Sequence, residues 1–480
     1  MPELLDRLTT PIEEILLPVP APDNPNLPAG TTSLPIHPIS LWPIGTVTSV
    51  LCLPGEIDRD RFEAALKRVT AVWPNTAGRY SRTAREGRPG EWDFSIRLTG
   101  SPIPVSYQTI QADAAFPTST VVQPSLDPYT SALPPSFGKP DTDSPLLSIR
   151  VTTLLPSRST VIGVIFGHIL GDGSSGNLYL SHLSHFYEHG PEAGLEPSQY
   201  PSFFPHIDMP VYPPPAEVLA EFDSGQIRPR EISEVMAGYG GAAEKYEAMT
   251  LTLRRAELRA LHQLISDRAG GGRLSEQDVL SAWWLSLLRR TGENIEKMVY
   301  TVNYRGMGGT HPGFPPNLRT LSANVAQMRC FPLDPTTSSD SREALEQISA
   351  TARLVRDRLL EIRHNPESTL RWLSVPAYRL EQAAIEIKAQ MLVPPEDEVM
   401  VNSNLRYDWN IAFGFPEDQT AYHTTFSTVR FLRVFQANPK RGERRGETDV
   451  ELTFSVAKGG EAKAAVERVA EEDRARWMKV

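Results

Sequence analysis

Two periods of hydrophobicity alternate along this chain, and their order predicts most of its architecture. Residues 47–53 form an apolar run of strand length; from Asp58 onward, Phe62, Leu66, Val69 and Val72-Trp73 recur at helical spacing until Pro74 ends the pattern. Residues 146–155 and 161–166 are again apolar runs, parted by Pro156-Ser157-Arg158-Ser159, and predict neighbouring buried strands. A helix follows over 177–188, closed by Gly190-Pro191. The second half has the same order. It predicts a strand over 248–254, a helix over 256–265, a break at Gly270-Gly271-Gly272, and a helix with Ser275 and Asp278 in its first turn and Val279, Ala282-Trp283 and Ser286-Leu287 along one face. Residues 460–480 predict a highly charged amphipathic helix, read as a solvated face rather than a binding element.

Proline sets the connections between these segments. The 480 residues include 43 prolines. They concentrate at 17–43, 117–144 and 197–215, where long, stiff loops are expected. Length alone would suggest roughly three domains. Strand–helix alternation on both sides of one proline-rich crossover instead predicts two α/β halves: a first over 1–215, a crossover linker over 216–245 and a second over 246–480.

Composition narrows the function classes. A net charge of -10 and a pI near 5.6 exclude a nucleic-acid partner, which needs a concentrated excess of Lys and Arg, although a local basic patch for a small phosphate-bearing ligand stays compatible. Two cysteines, Cys52 and Cys330, build no disulfide framework, and no CxxC suggests zinc or redox chemistry, so a reducing, cytoplasmic setting is expected. The start Met1-Pro2-Glu3-Leu4-Leu5-Asp6-Arg7 lacks the pattern of a secretory signal. The most apolar stretch, 161–170, is broken by Gly163, Gly167 and His168 and is about half of the ~20 residues a spanning helix needs, so no membrane span is expected.

Directly after the buried run comes His168-Ile169-Leu170-Gly171-Asp172-Gly173, an imidazole presented at a strand end on a tight turn. With an ordinary pKa of about 6.5, such a His is mostly neutral yet readily protonated near pH 7, as a general base must be. Asp172 followed by Gly173 lets the turn fold back and use the carboxylate as an internal brace. An isolated strand-end His is more often a hydrogen-bonded core residue; the spacing to Asp172-Gly173 and the motifs below reverse that balance. Gly171 to Gly176 also satisfies G-x-G-x-x-G, but three residues part the strand from the glycines, an Asp stands where a pyrophosphate would approach, and no ribose-binding acid ends a following strand. His182, His185 and His189 share a helix face that could offer imidazoles to a metal, yet no carboxylate or cysteine completes a ligand set, so a polar surface is the expectation. His37, His262 and His423 have no distinguishing context. No G-x-S-x-G elbow, Walker loop or H-E-x-x-H is present.

The segment His168 to Gly173 resembles the HxxxDG motif of the BAHD acyltransferases, which move an acyl group from coenzyme A to an alcohol or amine. Residues 65–80, with Trp73-Pro74-Asn75-Thr76-Ala77-Gly78-Arg79-Tyr80, are similar to that family's early helix ending in P-x-A-G-R. Ser275 to Trp283 resembles its second-domain helix, and Val302-Asn303-Tyr304-Arg305 and Ser322-Ala323-Asn324 resemble its neighbouring strand motifs, so the resemblance covers nearly the whole chain. The family's DFGWG signature is represented by Ala412-Phe413-Gly414-Phe415-Pro416, which keeps the Phe-Gly pair and lacks the acid. That acid pairs in the family with an arginine corresponding to Arg305, so here either Asp408 substitutes or the loop is held otherwise. The departure suits a divergent branch, fungal rather than plant.

The resemblance implies an α/β fold of the chloramphenicol acetyltransferase-like type: two similar lobes, each a mixed β-sheet with helices, and a channel between them with His168 at its centre. It implies His168 as general base, Asp172 and Gly173 as braces of the turn, and Arg305 as a structural arginine. Ser403 and Asn404, ahead of the Phe413-Gly414 loop, are candidates for oxyanion or loop contacts, as are Phe413 and Gly414 themselves, and Arg254 and Arg255 are candidates for coenzyme A phosphates, with a solvated surface pair as the alternative. It further implies acyl-CoA as co-substrate with no permanently bound cofactor and no metal, a small secondary-metabolite acceptor, and a monomer. Two other readings stay open. A condensation-type domain drawing acyl groups from a carrier protein would show two adjacent histidines, whereas Gly167 precedes His168. A repurposed, non-catalytic small-molecule scaffold would suit the missing acid at Ala412 but not the intact His168 motif.

Overall fold

The computed structural model describes residues 9–477, apart from 89, 112–119, 204–206, 223–226, 228, 271–272, 310, 312, 317, 334–340, 391–392, 427–429 and 445. Two of the three residues of the expected glycine break, Gly271 and Gly272, lie outside the described residues, as do the extreme amino terminus and the last three residues of the tail.

Two β-sheets organise the chain. The first has seven strands, and the buried run predicted from hydrophobicity lies inside it as Ser159–Gly167, antiparallel to both Leu147–Leu154 and Thr46–Leu53. Almost every residue of Ser159–Gly167 is buried, which is why it reads as a continuous apolar run rather than an alternating one. Gly163 is required there, because a Cβ would collide with the Tyr129 carbonyl oxygen. The helices Arg59–Val72 and Gly173–His189 pack together over this sheet, with the fully buried Trp73 against Tyr179, His182 and Phe203. Asp58 caps the first of them by accepting from Arg61 N at 2.7 Å, as its sequence position predicts.

The second sheet has six strands in the order Tyr246–Leu253, Val450–Ala457, Phe431–Gln436, Glu398–Ser403, Lys297–Asn303 and Ala326–Pro332. Helix Glu276–Arg290 begins with the predicted capping box, Ser275 accepting from Asp278 N and Asp278 accepting from Ser275 N, and it buries Trp283 and Trp284. The fold is therefore the expected α/β arrangement of two regions, each a mixed sheet covered by helices.

Three features depart from the pattern reading. The tail helix Glu461–Trp477 is docked rather than simply solvated: Asp473 accepts from Trp283 Nε1 at 3.0 Å and pairs with Arg290 at 2.9 Å, and Trp477 packs edge-on against Trp283. The crossover 216–245 is not a bare linker but carries the helices Ala216–Phe222 and Ile232–Lys245. Finally, Ala421–Thr425, from the second half, pairs antiparallel with Thr46–Leu53 and parallel with Val122–Gln123, and so belongs to the first sheet. Among the described residues, no helix is long and apolar enough to cross a membrane.

The crossing strand sits on a buried polar seam. His423 Nδ1 donates to Thr120 O at 2.8 Å, Thr424 N donates to Val121 O at 2.9 Å, and Glu451 of the second sheet accepts from Val121 N at 2.8 Å. Burial pushes the Glu451 carboxyl up to about 7, with Asp449 adding to the shift and the Val121 N–H opposing it. A carboxyl raised in the folded state favours folding below its unfolded pKa and loses that contribution as pH rises through the folded value. Glu451→Gln keeps an acceptor for Val121 without the charge. In denaturant melts its stability relative to the native protein should therefore improve by about 2–3 kcal/mol between pH 5 and pH 8; pH-independent differences would contradict this.

Candidate active site

His168 sits where the strand Ser159–Gly167 leaves the first sheet, at the start of the single-turn helix His168–Leu170. Its backbone N–H donates to Gly45 O at 2.7 Å, and its carbonyl accepts from Gly171 N at 3.2 Å and from Asn324 Nδ2 at 2.8 Å. The ring is half-buried and stacks on Trp42 with centroids 5.5 Å apart and planes 29° from parallel. Gly45 leaves room for it, since a Cβ there would stand 3.1 Å from His168 Cβ. Nδ1 of His168 and Oδ1 of Asn324 are buried without hydrogen-bond partners among the described residues. Burial lowers the His168 pKa from its ordinary value, and Asp172, the ring's own backbone and Asn324 offset only part of this, so the imidazole is neutral at pH 7.

The turn closes through Gly171, whose φ of +149° is open to glycine and where a Cβ would meet the Ser175 hydroxyl. Asp172 then serves as the N-cap of Gly173–His189, Oδ1 accepting from Ser174 N at 3.1 Å and Ser175 N at 3.2 Å. That cap starts the helix four residues before the position predicted from apolar spacing. Both carboxylate oxygens also accept from Arg305, at 2.6 and 2.8 Å, and Oδ2 accepts from Val325 N at 2.9 Å. Arg305 reaches further to Ser175 Oγ, Leu321 O and Ala323 O. Burial opposes the charge on Asp172, but the Arg305 guanidinium and the Val325 and Ser175 N–H groups outweigh it and hold the carboxyl below the usual range. Burial likewise opposes the charge on Arg305, and Asp172 more than restores it.

Of the loop candidates, Asn404 comes to this turn. A Cβ on Gly173 would lie 3.8 Å from Asn404 Oδ1 and 3.6 Å from Trp409. Ser403 Oγ is engaged locally, accepting from Leu405 N at 3.3 Å. Phe413 and Gly414 lie elsewhere. Phe413 N donates to Ser184 Oγ at 2.9 Å, its ring packs on Phe62 and Tyr187, and Gly414 lies beside Glu188. Ser184 is eleven residues along the helix from Gly173, about 16 Å at 1.5 Å per residue. The Phe413-Gly414 loop thus anchors the far end of the helix and does not face the reacting region. Asp408 accepts from Asn410 N at 3.3 Å through its carboxylate and from Asn177 Nδ2 at 2.6 Å through its carbonyl, while the Arg305 fork is filled by Asp172. The loop lacking an acid at Ala412 is held by Ser184 and by aromatic packing.

Arg254 and Arg255 stand at the same edge of the second sheet as Asn303, but each is already paired, Arg254 with Glu257 at 2.7 Å and Arg255 with Glu276 at 3.2 Å. His182 Nδ1 accepts from Trp73 Nε1 at 3.0 Å, and burial takes its pKa down to about 4; His185 and His189 stack on each other. The first-turn amides of Ser174 and Ser175, which a pyrophosphate would use, are spent on Asp172.

Several residues of the site carry no motif of their own. Trp42, which stacks on His168, lies in the proline-rich segment 17–43, and Asn303 lies in a strand. In the structure Asn303 Nδ2 donates to Tyr407 Oη at 2.6 Å and approaches Ser174 Oγ at 3.5 Å, and Asn303 Oδ1 accepts from Arg305 N at 2.9 Å. Its position two residues before Arg305 was the only available signal. Two shallow clefts adjoin the turn. One touches it at Ile169 and includes His37, Ser40, Asn75 and Ser322; the other reaches it through Trp409 and includes Tyr407 and Tyr422.

No family model and no curated protein matches this chain. Solved structures do. The chain is similar to vinorine synthase, at 16% identity over 95% of this chain and 96% of that one, with a TM-score of 0.61. It is also similar to TRI101 of F. sporotrichioides, solved with coenzyme A and T-2, at 15% identity over 94% and 99% of the two chains, with a TM-score of 0.63. The nonribosomal peptide synthetase FmoA3 matches at 18% identity and a TM-score of 0.55, over 95% of this chain but 46% of its own. At these identities the shared property is the two-lobed fold.

Removing Asp172 leaves Arg305 charged, buried and unpaired. Asp172→Ala should cost about 3–5 kcal/mol in denaturant melts, and replacing both partners, as in Asp172→Leu with Arg305→Met, should recover a large part of it. An Asp172→Ala protein as stable as the native one would refute the brace.

Proposed function

We propose that the protein is an acyltransferase of the BAHD type, moving an acyl group from acyl-CoA to a hydroxyl or amine of a small, secondary-metabolite acceptor. The observation that carries this reading is the neutral, half-buried imidazole of His168 at the junction of the two lobes, held by backbone contacts and by a turn braced from behind by Asp172 and Arg305. The fold supports it over almost the whole chain, since one similar structure was solved with coenzyme A and a small molecule together. The sequence departures at 412–416 suit a divergent, fungal branch, and the cysteine usage suits a reducing, cytosolic setting.

In this reading the acceptor's O–H or N–H hydrogen-bonds to the exposed side of His168. As the acceptor atom attacks the thioester carbonyl carbon, His168 takes its proton and the carbonyl oxygen becomes an oxyanion. Asn404, whose Oδ1 lies against the first turn of Gly173–His189, would turn its amide N–H group toward that oxygen. Collapse of the tetrahedral species breaks the carbon–sulfur bond, and the imidazolium returns the proton to the departing thiolate. General-base catalysis of this kind contributes about 10²–10⁴-fold, whereas alignment of two substrates reaches effective molarities of about 10⁵ M or more. Positioning is therefore the larger effect.

His168→Ala, shown to be folded, should lose at least about 10²-fold in kcat/KM when acetyl-, malonyl- and longer acyl-CoAs are offered with an extract of candidate acceptors and the products are read by mass spectrometry. Native turnover in that variant would remove His168 from the mechanism. Use of carrier-bound acyl groups with no turnover of free acyl-CoA would move the reading to a condensation-type enzyme. Because the His168 pKa is lowered, the acid limb of the native kcat/KM profile should lie below pH 6.5, with activity lost as pH falls through it.

A further inference from the structure

Strand alternation in the second sheet puts Leu432, Val401 and Tyr300 on the face covered by helices and their chain neighbours on the opposite face, which turns toward the first lobe. That face carries three rows across its central strands. In the first, Phe431, Met400, Val299 and Cys330 lie side by side in register and pack on one another. Two residues along each strand, about 7 Å away, come Arg433, Asn402, Thr301 and Met328. A further two residues on stand Phe435, Asn404 and Asn303. This third row meets the His168 turn, through Asn404 at Gly173, Asn303 at Ser174 and the Phe435 ring beside Trp409.

The middle row is polar and under-used. On one flank Met328 packs against the core of the first lobe, and on the other Thr453 is buried and bonded to Thr250 at 2.9 Å; between them Arg433, Asn402 and Thr301 are each partly open to solvent. The side chains of Asn402 and Thr301 have no hydrogen-bond partner among the described residues, and Arg433 has one, Nη1 donating to Thr425 O. The guanidinium lies over the Phe435 ring at 5.1 Å, a contact that uses its face and leaves its N–H edge untouched. Nε is buried without a partner, and no carboxylate pairs with the group among the described residues; Glu451, the acid of the adjoining strand on this face, is spent on Val121 N. Burial accordingly lowers the Arg433 pKa, opposed by the Tyr422 phenol. A single bond to a carbonyl could be made by a neutral donor. It does not account for a desolvated charge whose Nε–Nη2 edge, the edge that grips both oxygens of a carboxylate, is left unfilled.

We infer that Arg433, with Asn402 and Thr301, forms a subsite for a carboxylate carried by one of the two substrates, one row back from the residues that meet the His168 turn. The subsite rests on the acyltransferase reading and narrows its substrate class: either the acceptor bears a carboxylate besides its reacting hydroxyl or amine, or the acyl group is that of a dicarboxylic acid. The Nε and Nη2 N–H groups take the two carboxylate oxygens, and the Asn402 amide and the Thr301 hydroxyl donate to the remaining lone pairs. Beyond them the buried row of Val299, Met400 and Phe431 ends the polar surface.

The test follows acyl transfer by the full chain with mass spectrometry, in two arms. In the first, acetyl-CoA is offered with an extract of candidate acceptors before and after the extract's carboxylates are converted to methyl esters. In the second, the esterified extract is offered with malonyl-CoA or with acetyl-CoA, so that only the donor carries a free carboxylate. Native protein should favour the carboxylate form in at least one arm by roughly tenfold or more in product formed at low substrate concentration, and that arm identifies the source. R433M should bring the ratio close to one, and R433K should keep part of it; should R433M not fold, R433Q carries the same comparison. A native protein that favours the carboxylate form in neither arm, or a preference that survives R433M, overturns the subsite and leaves the transfer chemistry standing. Where no transfer occurs from any pair, titration calorimetry with 3-(4-hydroxyphenyl)propanoate and its methyl ester decides. Arg433-dependent binding of the acid alone keeps the subsite and removes the catalytic reading, whereas binding of neither, or of both alike, overturns both.

Discussion

The bidentate pair between Asp172 and Arg305 is the constraint on which the site depends. Both groups are taken almost wholly out of water, a transfer that costs several kcal/mol per ion and is offset only by close geometry and satisfied hydrogen-bonding atoms. Here Asp172 receives two guanidinium bonds and three backbone N–H groups, and Arg305 spends further donors on Ser175 and on the carbonyls of Leu321 and Ala323. Burial pushes each group toward neutrality and its partner pushes harder the other way, so both stay charged through the whole working pH range. The pair is therefore no proton relay. Its function is position: it joins the residue that caps Gly173–His189 to the exit of the strand Lys297–Asn303, more than a hundred residues away in sequence.

The same helix is held a second time from the second half of the chain. At its start stand Asp172, Asn404 and Trp409; about 16 Å further on, Ser184 receives the Phe413 backbone and Glu188 borders Gly414. The crossing strand Ala421–Thr425 then pairs with Thr46–Leu53, the strand whose lead-in carries Gly45, the backbone partner of His168. The imidazole is thus fixed by a triangle of contacts, two on the helix and one on the sheet, with the second half of the chain behind each of them. The loop 412–416 has no acid, and it pins the helix end through a serine hydroxyl and an aromatic pocket rather than through an ion pair.

Most of what is local in the chain is legible from sequence. Asp58, Ser275 and the strand 161–166 announce themselves through caps and periodicity, and the structure places them accordingly. What escaped was long-range. Nothing beside Ala421–Thr425 says that it will complete a sheet made in the first half, and nothing in the charged tail says that Asp473 will meet Trp283 and Arg290. The early start of Gly173–His189 was missed because Asp172 looked like part of a catalytic turn and is also an N-cap. The adjacent Arg254 and Arg255 stand out as a basic doublet, although Glu257, three residues beyond Arg254, is a visible local partner.

The balance of effects at His168 follows from these contacts. Desolvation decides the ring's pKa, opposed in part first by the charge of Asp172 and then by the ring's own backbone and Asn324. A pKa below the ordinary value weakens the base but keeps it unprotonated at neutral pH, so little is gained or lost by tuning it further. The buried charge accordingly holds the imidazole still between two lobes rather than tuning it. In the proposed mechanism that matches the magnitudes: aligning two substrates would contribute more than the base itself, and a doubly pinned helix and a braced turn favour alignment.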